Sequence, residues 1–463
     1  MYSPQAYFSL FVMRSFCVGL LRAMACLSLV ASSLNAVRAE PREDRGELSP
    51  DVERLEVIAQ PWLHDWLWLP EWIRLSFNYT NEIDANPSGG NQQTGTYTHN
   101  VAVNSAFSSG FGKEASEWQE IDHWTLNITA SQRSGTSLSQ KIPNELAVQQ
   151  IYGYGQTFRL AGLWLERNQA EDGLLKMKFG KFATFDDFAS SPLYCFYTNN
   201  GFCGQNWGIP NSLPVMAYPA NQYGFVFYLG EVDGPHVRSG TYQINPDGAE
   251  PAFHGADFQI RDSDGLAQFV QLNVPFGSGK PQAARRLEDG SVLLVPEDEL
   301  EVYYVSGLPQ PGLQLGGWIG NWQFPLVNGN GKTSESNEGV YGLLSVPWDF
   351  GGLVLDGRLW ANATYGLAQS VQDVPNTYAG GWVGKGLFRN RPHDAVVIGL
   401  ANANWSRDIP DGPIWESVLE LGYQFMLGSN VSIQPGVQYI FNPMGKGDVD
   451  DPLLLGLQMS FSF

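Results

Sequence analysis

Residues 453–463 read LLLGLQMSFSF. Leu453, Leu455, Leu457, Met459, Phe461 and Phe463 fall on one face, and after Leu454 the other face carries Gly456, Gln458, Ser460 and Ser462. Alternation with period two over this length is the pattern of a strand with one apolar and one polar side. The two segments before it repeat the pattern. Val431, Ile433, Pro435, Val437, Tyr439 and Phe441 alternate with Ser432, Gln434, Gly436 and Gln438, while Leu419, Leu421, Tyr423, Phe425 and Leu427 alternate with Glu420, Gly422 and Gln424. The first pair of strands is joined by the tight Gly428-Ser429-Asn430 and the second by the acidic NPMGKGDVDD. Membrane barrels use short periplasmic turns and longer extracellular loops, so the acidic loop is expected outside and Phe463 at the periplasmic rim.

Upstream runs fit the same template. Ile73, Leu75, Phe77 and Tyr79 share a face, as do Trp124, Leu126, Ile128 and Ala130; Tyr223, Phe225, Phe227 and Leu229; Val270, Leu272 and Val274; and Leu353, Leu355 and Leu359 opposite Asp356, Arg358, Trp360 and Asn362. Periodicity does not by itself separate a membrane barrel from a soluble sandwich, which buries the apolar face. The export signal described next, the terminal aromatic residue and the aromatic load favour the membrane barrel. Two stretches resist the parity test. TFRLAGLWLERN, residues 157–168, has apolar residues on both faces, with Arg159 on one and Glu166 on the other. In LLKMKFGKF, Lys181 takes the apolar parity unless Gly180 marks a bulge.

The chain has 463 residues, with 27 Lys+Arg against 47 Asp+Glu and a net charge of −20. That balance excludes a nucleic-acid binder, which needs a basic footprint. With 51 Gly, 15 Trp, 19 Tyr and 26 Phe, only 16% charged residues and a mean hydropathy of −0.19, the composition is neither that of a disordered chain nor that of a helical membrane bundle. Phe16 to Ala31 is mostly apolar, interrupted by Arg22, and too short to span a bilayer, and SSLNAVRA follows with small-residue cleavage positions at Val37 and Ala39. This predicts a signal peptide over 1–39, with Met1 or Met13 as the start. Its removal takes Arg14, Arg22 and Arg38 and no acid, leaving 24 basic against 47 acidic residues, a net of −23. Residues 40–70 are a charged, then Trp-rich lead, periplasmic or plug-like, and 71–463 the barrel. Cys195 and Cys203, left in an exported chain, are expected to form a disulfide.

Three long segments carry a resemblance: LWLERNQAEDGLLKMKFGKFATFDDFASSPLYCFYTNNGFCG (163–204), YAGGWVGKGLFRNRPHDAVVIGLANANWS (378–406) and ESVLELGYQFMLGSNVSIQPGVQYIFNPMG (416–445). They resemble the carbohydrate-selective porin family of Gram-negative outer membranes, from about Gln149 to the C-terminus. The resemblance implies a transmembrane antiparallel β-barrel of about 16 strands that admits mono- and small oligosaccharides by diffusion through a pore narrowed by inward loops and lined by arginine and acidic side chains. It places the cysteine pair in a loop near the constriction. Residues 231–340 match weakly except for LPQPGLQLGGWIGNWQFP, and Lys181 stands where relatives often carry Arg, a point charge for a planar fork.

Sugar passage by diffusion calls for weak, multiple contacts: Arg or Lys donors and Asp or Glu acceptors for hydroxyl groups, and aromatic planes for ring faces. From parity, Arg74, Arg133, Asp356, Arg358 and Glu420 are lumen candidates; from the family motif come Arg159, Glu166, Lys181, Asp186 and Asp187. Trp318 and Trp360 are read either as inward aromatic faces or as girdle residues, the commoner role. The expected partners are carbohydrate solutes, outer-membrane lipid and lipopolysaccharide, and the barrel-assembly machinery through Phe463, with no nucleic acid and a monomeric or trimeric state. No catalytic constellation appears. There is no G-x-S-x-G, and His64, His99, His123, His236, His254 and His393 lack partners at a recognised spacing. NGNGKT lacks the first glycine of a phosphate loop, because Leu326 occupies its place. Asp262-Ser263-Asp264-Gly265 lacks the later ligands of a calcium loop. Neither a cofactor nor a metal is expected. The alternative to a sugar channel is a general or cation-preferring diffusion porin.

Overall fold

The computed structural model describes residues 67–462 except 68, 71, 110–121, 169–173, 232–233, 277–281, 287–291, 297–303, 306–307, 389–390 and 429. The expected signal peptide, nearly all of the 40–70 lead and Phe463 lie outside the described residues. The strands are β1 (Ile73–Ser88), β2 (Gly95–Ser108), β3 (His123–Gly135), β4 (Phe158–Asn168), β5 (Leu175–Phe182), β6 (Gln222–Gly230), β7 (His236–Ile244), β8 (Gly265–Pro275), β9 (Gln282–Arg286), β10 (Val292–Pro296), β11 (Tyr304–Val305), β12 (Gly312–Pro325), β13 (Thr333–Pro347), β14 (Asp356–Gly366), β15 (Asn376–Lys385), β16 (Ala395–Asn404), β17 (Trp415–Leu427), β18 (Val431–Phe441) and β19 (Leu453–Ser462). Sixteen of them close an antiparallel barrel in which β1 pairs with both β2 and β19, while β9, β10 and β11 form a small separate sheet within the β8–β12 connection. Closure leaves no unpaired strand edge, the condition for spanning a bilayer with strands.

The alternation read in β17, β18 and β19 is the observed register. Leu421 pairs with Val437 and Val437 with Leu455, all three on the outer face. Ile83, Phe179, Phe225, Ile319, Leu344, Ile398, Leu419 and Leu455 are exposed there, an apolar belt facing outward. One boundary is corrected: Leu353 and Leu355 precede β14, which begins at Asp356. The turn at 428–430 and the 442–452 loop lie at opposite rims. The rim of 442–452 also carries the connections 136–157, 183–221 and 245–264, while the opposite rim has shorter turns apart from 109–122 and the β8–β12 connection 276–311; on balance of loop length the first is read as the outer rim.

Both parity puzzles resolve locally. Between β3 and β4 the register shifts, with Leu160 opposite Ala130 and Gly162 opposite Thr129, so Ala161 is an extra residue. A bulge of one residue flips parity, and Arg159 and Glu166 both point inward. No such shift occurs in β5, where Gly180 pairs with Gly224 and Lys181 with Tyr223 in unbroken register. Gly180 has φ +141°, and a Cβ there would lie 2.4 Å from the Leu163 carbonyl oxygen, so it serves a close strand approach. Lys181 therefore projects from the outer face, which corrects its assignment to the lumen.

Inside, the expected polar lining holds for only part of the wall. Segments 136–157 and 183–221 fold into the barrel and bury two apolar clusters against it. One joins Leu138, Ile142, Leu146, Tyr197 and Phe202 to the wall residues Trp360, Val383, Val397, Ala401 and Val418. The other joins Phe185, Phe188, Ile209 and Leu213 to Tyr242, Phe269, Trp318 and Tyr341. Trp318 and Trp360 are thus neither girdle residues nor open aromatic faces; they are inward, 4% and 2% exposed, and covered by loop.

Candidate constriction of the barrel lumen

With loop packed over much of the inner wall, the cavity that remains borders β1, β2, β3 and β19. A cavity of about 640 Å³ remains, bounded by Thr80, Asn100, Arg133, Gln458 and Ser460 on the strands and by Glu145, Tyr152, Tyr154, Asp186, Trp207 and Tyr218 on the loops. Arg133 is 6% exposed. Its Nε donates to Asn100 Oδ1 at 3.2 Å, and that oxygen also accepts from Ser131 Oγ at 2.9 Å. The guanidinium carbon stands 5.5 Å from the Tyr218 ring centroid, within cation–π range. Opposite, burial together with the charges of Glu416 and Asp373 pushes the Glu145 carboxyl up to about 7. Asp186 Oδ2 lies 3.7 Å from Lys178 Nζ. The cavity therefore offers one fixed cation, two carboxyl groups and three tyrosine rings.

Of the ten candidate residues, Arg133 and Asp186 are brought together here. Most of the others hold loops. Arg159, 1% exposed, donates to the carbonyls of Tyr154 at 2.6 Å and Ala249 at 2.8 Å. Asp187 accepts from Lys178 Nζ at 3.2 Å and Tyr242 Oη at 3.3 Å and is also bonded by Tyr228 Oη, which fixes the start of the 183–221 segment. Glu420 accepts from the backbone N–H groups of Thr198 at 2.7 Å and Asn199 at 2.9 Å. Asp356 and Arg358 are buried and paired with each other, and Arg358 Nε donates to the Pro309 carbonyl at 3.0 Å. Glu166 pairs with Lys176 and accepts from Trp164 Nε1 at 3.1 Å. Arg74 sits at the end of β1 on the inward parity and is exposed. Lys181, on the outer face, bonds the Asp257 carbonyl and lies 4.9 Å from the Phe258 ring centroid.

The sulfurs of Cys195 and Cys203 are 3.1 Å apart as thiols at the edge of the cavity. Several residues that shape the site were not singled out from sequence: Glu145, Tyr152, Tyr154, Tyr218 and the inward Glu416. Glu416 was within reach, since extending the β17 alternation back from Glu420 places it on the same face. The tyrosines sit in loops, where no period marks them.

A sixteen-strand barrel narrowed by two infolded loops is a porin architecture, and the comparisons agree on which kind. The profile described as "Carbohydrate-selective porin, OprB family" matches residues 115–463. The chain belongs to this family. Porin B of Pseudomonas aeruginosa is 26% identical over 437 residues, covering 83% of this chain and 86% of the relative. The high-pH structure of Pseudomonas putida OprB superposes with a TM-score of 0.69 at 21% identity, covering 87% of this chain and 97% of that one, a likeness of fold. This OprB-family porin is a carbohydrate-selective channel of the outer membrane.

Proposed function

We propose that the cavity beside Arg133 is the constriction through which monosaccharides and small oligosaccharides pass by passive diffusion into the periplasm. The observation that carries this reading is the meeting of a buried guanidinium with Tyr218, Tyr152 and Tyr154 and with the Glu145 and Asp186 carboxyl groups in one space. Sugars present hydroxyl groups in every direction and faintly apolar ring faces, and this set supplies donors, acceptors and aromatic planes without a tight site. The volume lies within the roughly 300–1,000 Å³ of small-molecule sites. The outward apolar belt meets outer-membrane lipid. The chain reaches that membrane after cleavage of residues 1–39, with Phe463 read by the assembly machinery. Cys195 and Cys203 close a disulfide that fixes the loop edge. Their separation is already short, and intact mass before and after reduction reports the bond.

Planar-bilayer recording of the purified mature protein tests the central claim. Current blocked by glucose, at concentrations where amino acids and organic acids have no effect, is the expected result. Strong cation selectivity without sugar block overturns it in favour of a general diffusion porin, the reading supported by the acidic composition.

A further inference from the structure

Glu416 and Glu420 stand four residues apart on the inward face of β17, 0% and 1% exposed. Burying a carboxylate is costly unless its oxygens are bonded, and here the donors come from the loops. Glu416 accepts from the N–H groups of Glu145 at 3.0 and 2.9 Å, Leu146 at 2.7 Å and Met444 at 2.7 Å. Glu420 accepts from Thr198 N–H at 2.7 Å, Thr198 Oγ1 at 3.0 Å and Asn199 N–H at 2.9 Å. Among the described residues neither has a Lys or Arg ion-pair partner.

We infer that Glu416 and Glu420 are positioning residues that set the solute-size limit of the channel by pinning both constriction loops to one wall strand. The first carboxylate grips the backbone of Glu145, whose side chain bounds the cavity. The second grips residues 198 and 199, between Cys195 and Asn200 at the cavity edge. Charge-assisted bonds of this kind are about twice as strong as neutral ones and fix direction as well as distance. Neighbouring amides continue the row: Gln438 Nε2 donates to the Val148 carbonyl at 3.2 Å, and Gln434 Nε2 to the Phe196 carbonyl at 2.8 Å. Cutting Glu416 frees the N–H groups of Glu145 and Leu146. Cutting Glu420 frees those of Thr198 and Asn199 and leaves these two residues to the neutral Gln438, which accepts from Asn199 Nδ2 at 2.9 Å and donates to Thr198 Oγ1 at 3.1 Å. In either case the loop backbone loses its charged anchor and shifts in the lumen.

This inference rests on reading the cavity as the constriction. The experiment uses the full-length protein carrying E416A, E420A, E416Q or E420Q, each extracted from outer membranes and checked for the compact, heat-modifiable migration of a closed barrel. Liposome swelling is measured with a monosaccharide, a disaccharide and a trisaccharide. Amide hydrogen exchange is followed at residues 145, 146, 198 and 199. In the alanine variants the trisaccharide-to-monosaccharide rate ratio is expected to change severalfold, and those amides to exchange at least tenfold faster. The glutamine variants, which keep one acceptor oxygen, fall between. Folded alanine variants with the wild-type ratio overturn the inference. If the alanine variants do not assemble, the glutamine pair decides it, because unchanged exchange and unchanged size ratio there also overturn it. Wild-type protein that passes all three sugars at equal rates refutes the constriction reading instead, while faster exchange in the variants still reports the anchoring.

Discussion

Replacing Arg133 with glutamine removes the one fixed cation among the cavity-bounding residues and leaves Glu145 and Asp186 facing a permeant ion. A sphere of 640 Å³ has a radius of about 5 Å, so a unit charge on the wall acts on an ion at the centre with roughly 0.8 kcal/mol in bulk-like water. Deleting the charge helps a cation by about that amount and hinders an anion by the same, a swing of about 1.5 kcal/mol between them, or roughly tenfold in relative permeability. Screening at 0.1 M salt acts over about 10 Å and weakens this only partly. The assay is the zero-current potential of R133Q under a potassium chloride gradient, compared with wild type. Glutamine keeps a donor for Asn100 and a similar shape, which limits the change to charge. A folded R133Q channel with the wild-type zero-current potential would refute the claim that the current passes this cavity.

Three further outcomes follow from the same geometry. Glu145, pushed up to about 7, is ionised above that pH and neutral below it. Acidifying from about pH 8.5 to about pH 6 should therefore lower the potassium-to-chloride permeability ratio with a midpoint near 7; E145Q should lose that step, and a profile unchanged by E145Q sinks the assignment. A Cβ at Gly381 would stand 2.2 Å from Tyr197 Oη, which bonds the carbonyl of Ile398 at 3.0 Å. G381A should cost about 1–3 kcal/mol by overpacking, read as a lower midpoint in urea unfolding, and an unshifted midpoint counts against this close approach of Tyr197 to the wall. Asp187→Ala leaves the buried Lys178 ammonium with only the more distant Asp186. A loss of about 3–5 kcal/mol is expected in the same unfolding assay, and a loss below about 1 kcal/mol would show that the pair does not hold the loop.

The barrel was legible where one face meets lipid and the other water, because only there does period two survive. In β19 the wall opposite Leu455 and Leu457 is Gly456 and Gln458, and the strand is read to the residue. In β15 and β16 the inner positions include Ala379, Val383, Val397, Ala401 and Ala403, apolar because an infolded loop carrying Tyr197 and Phe202 packs on them. A strand apolar on both faces carries no parity, and the loop that makes it so is far away in sequence. Arg159 and Glu166 failed the test for a different reason: Ala161 adds one residue, which no residue type announces. The charged candidates show the same limit from the other side. Parity correctly placed Glu420 and Arg358 inside, but inside a loop-filled barrel most inward charges meet backbone. Glu420 meets Thr198 and Asn199 at a sequence separation of over two hundred residues, a contact no local pattern encodes.

That distinction also decides how the acidity acts. A net charge of −20 would make a strongly cation-attracting pore if it lined the lumen evenly. Instead Glu416 and Glu420 are shielded by N–H donors, Asp187 by Lys178, and Asp356 by Arg358. Asp448, Asp450 and Asp451 stand in the 442–452 loop at the rim, where ions at physiological strength screen them within about 8 Å. Among the residues bounding the cavity the charges are Arg133, Glu145 and Asp186; Asp186 has Lys178 Nζ 3.7 Å away, and burial pushes Glu145 up to about 7 and Asp186 up to about 6. Near pH 7 those charges come close to balance, which suits a neutral solute better than either ion. A channel built from an acidic chain can therefore favour sugars where inward acids such as Glu416, Glu420 and Asp187 are spent on holding loops in place.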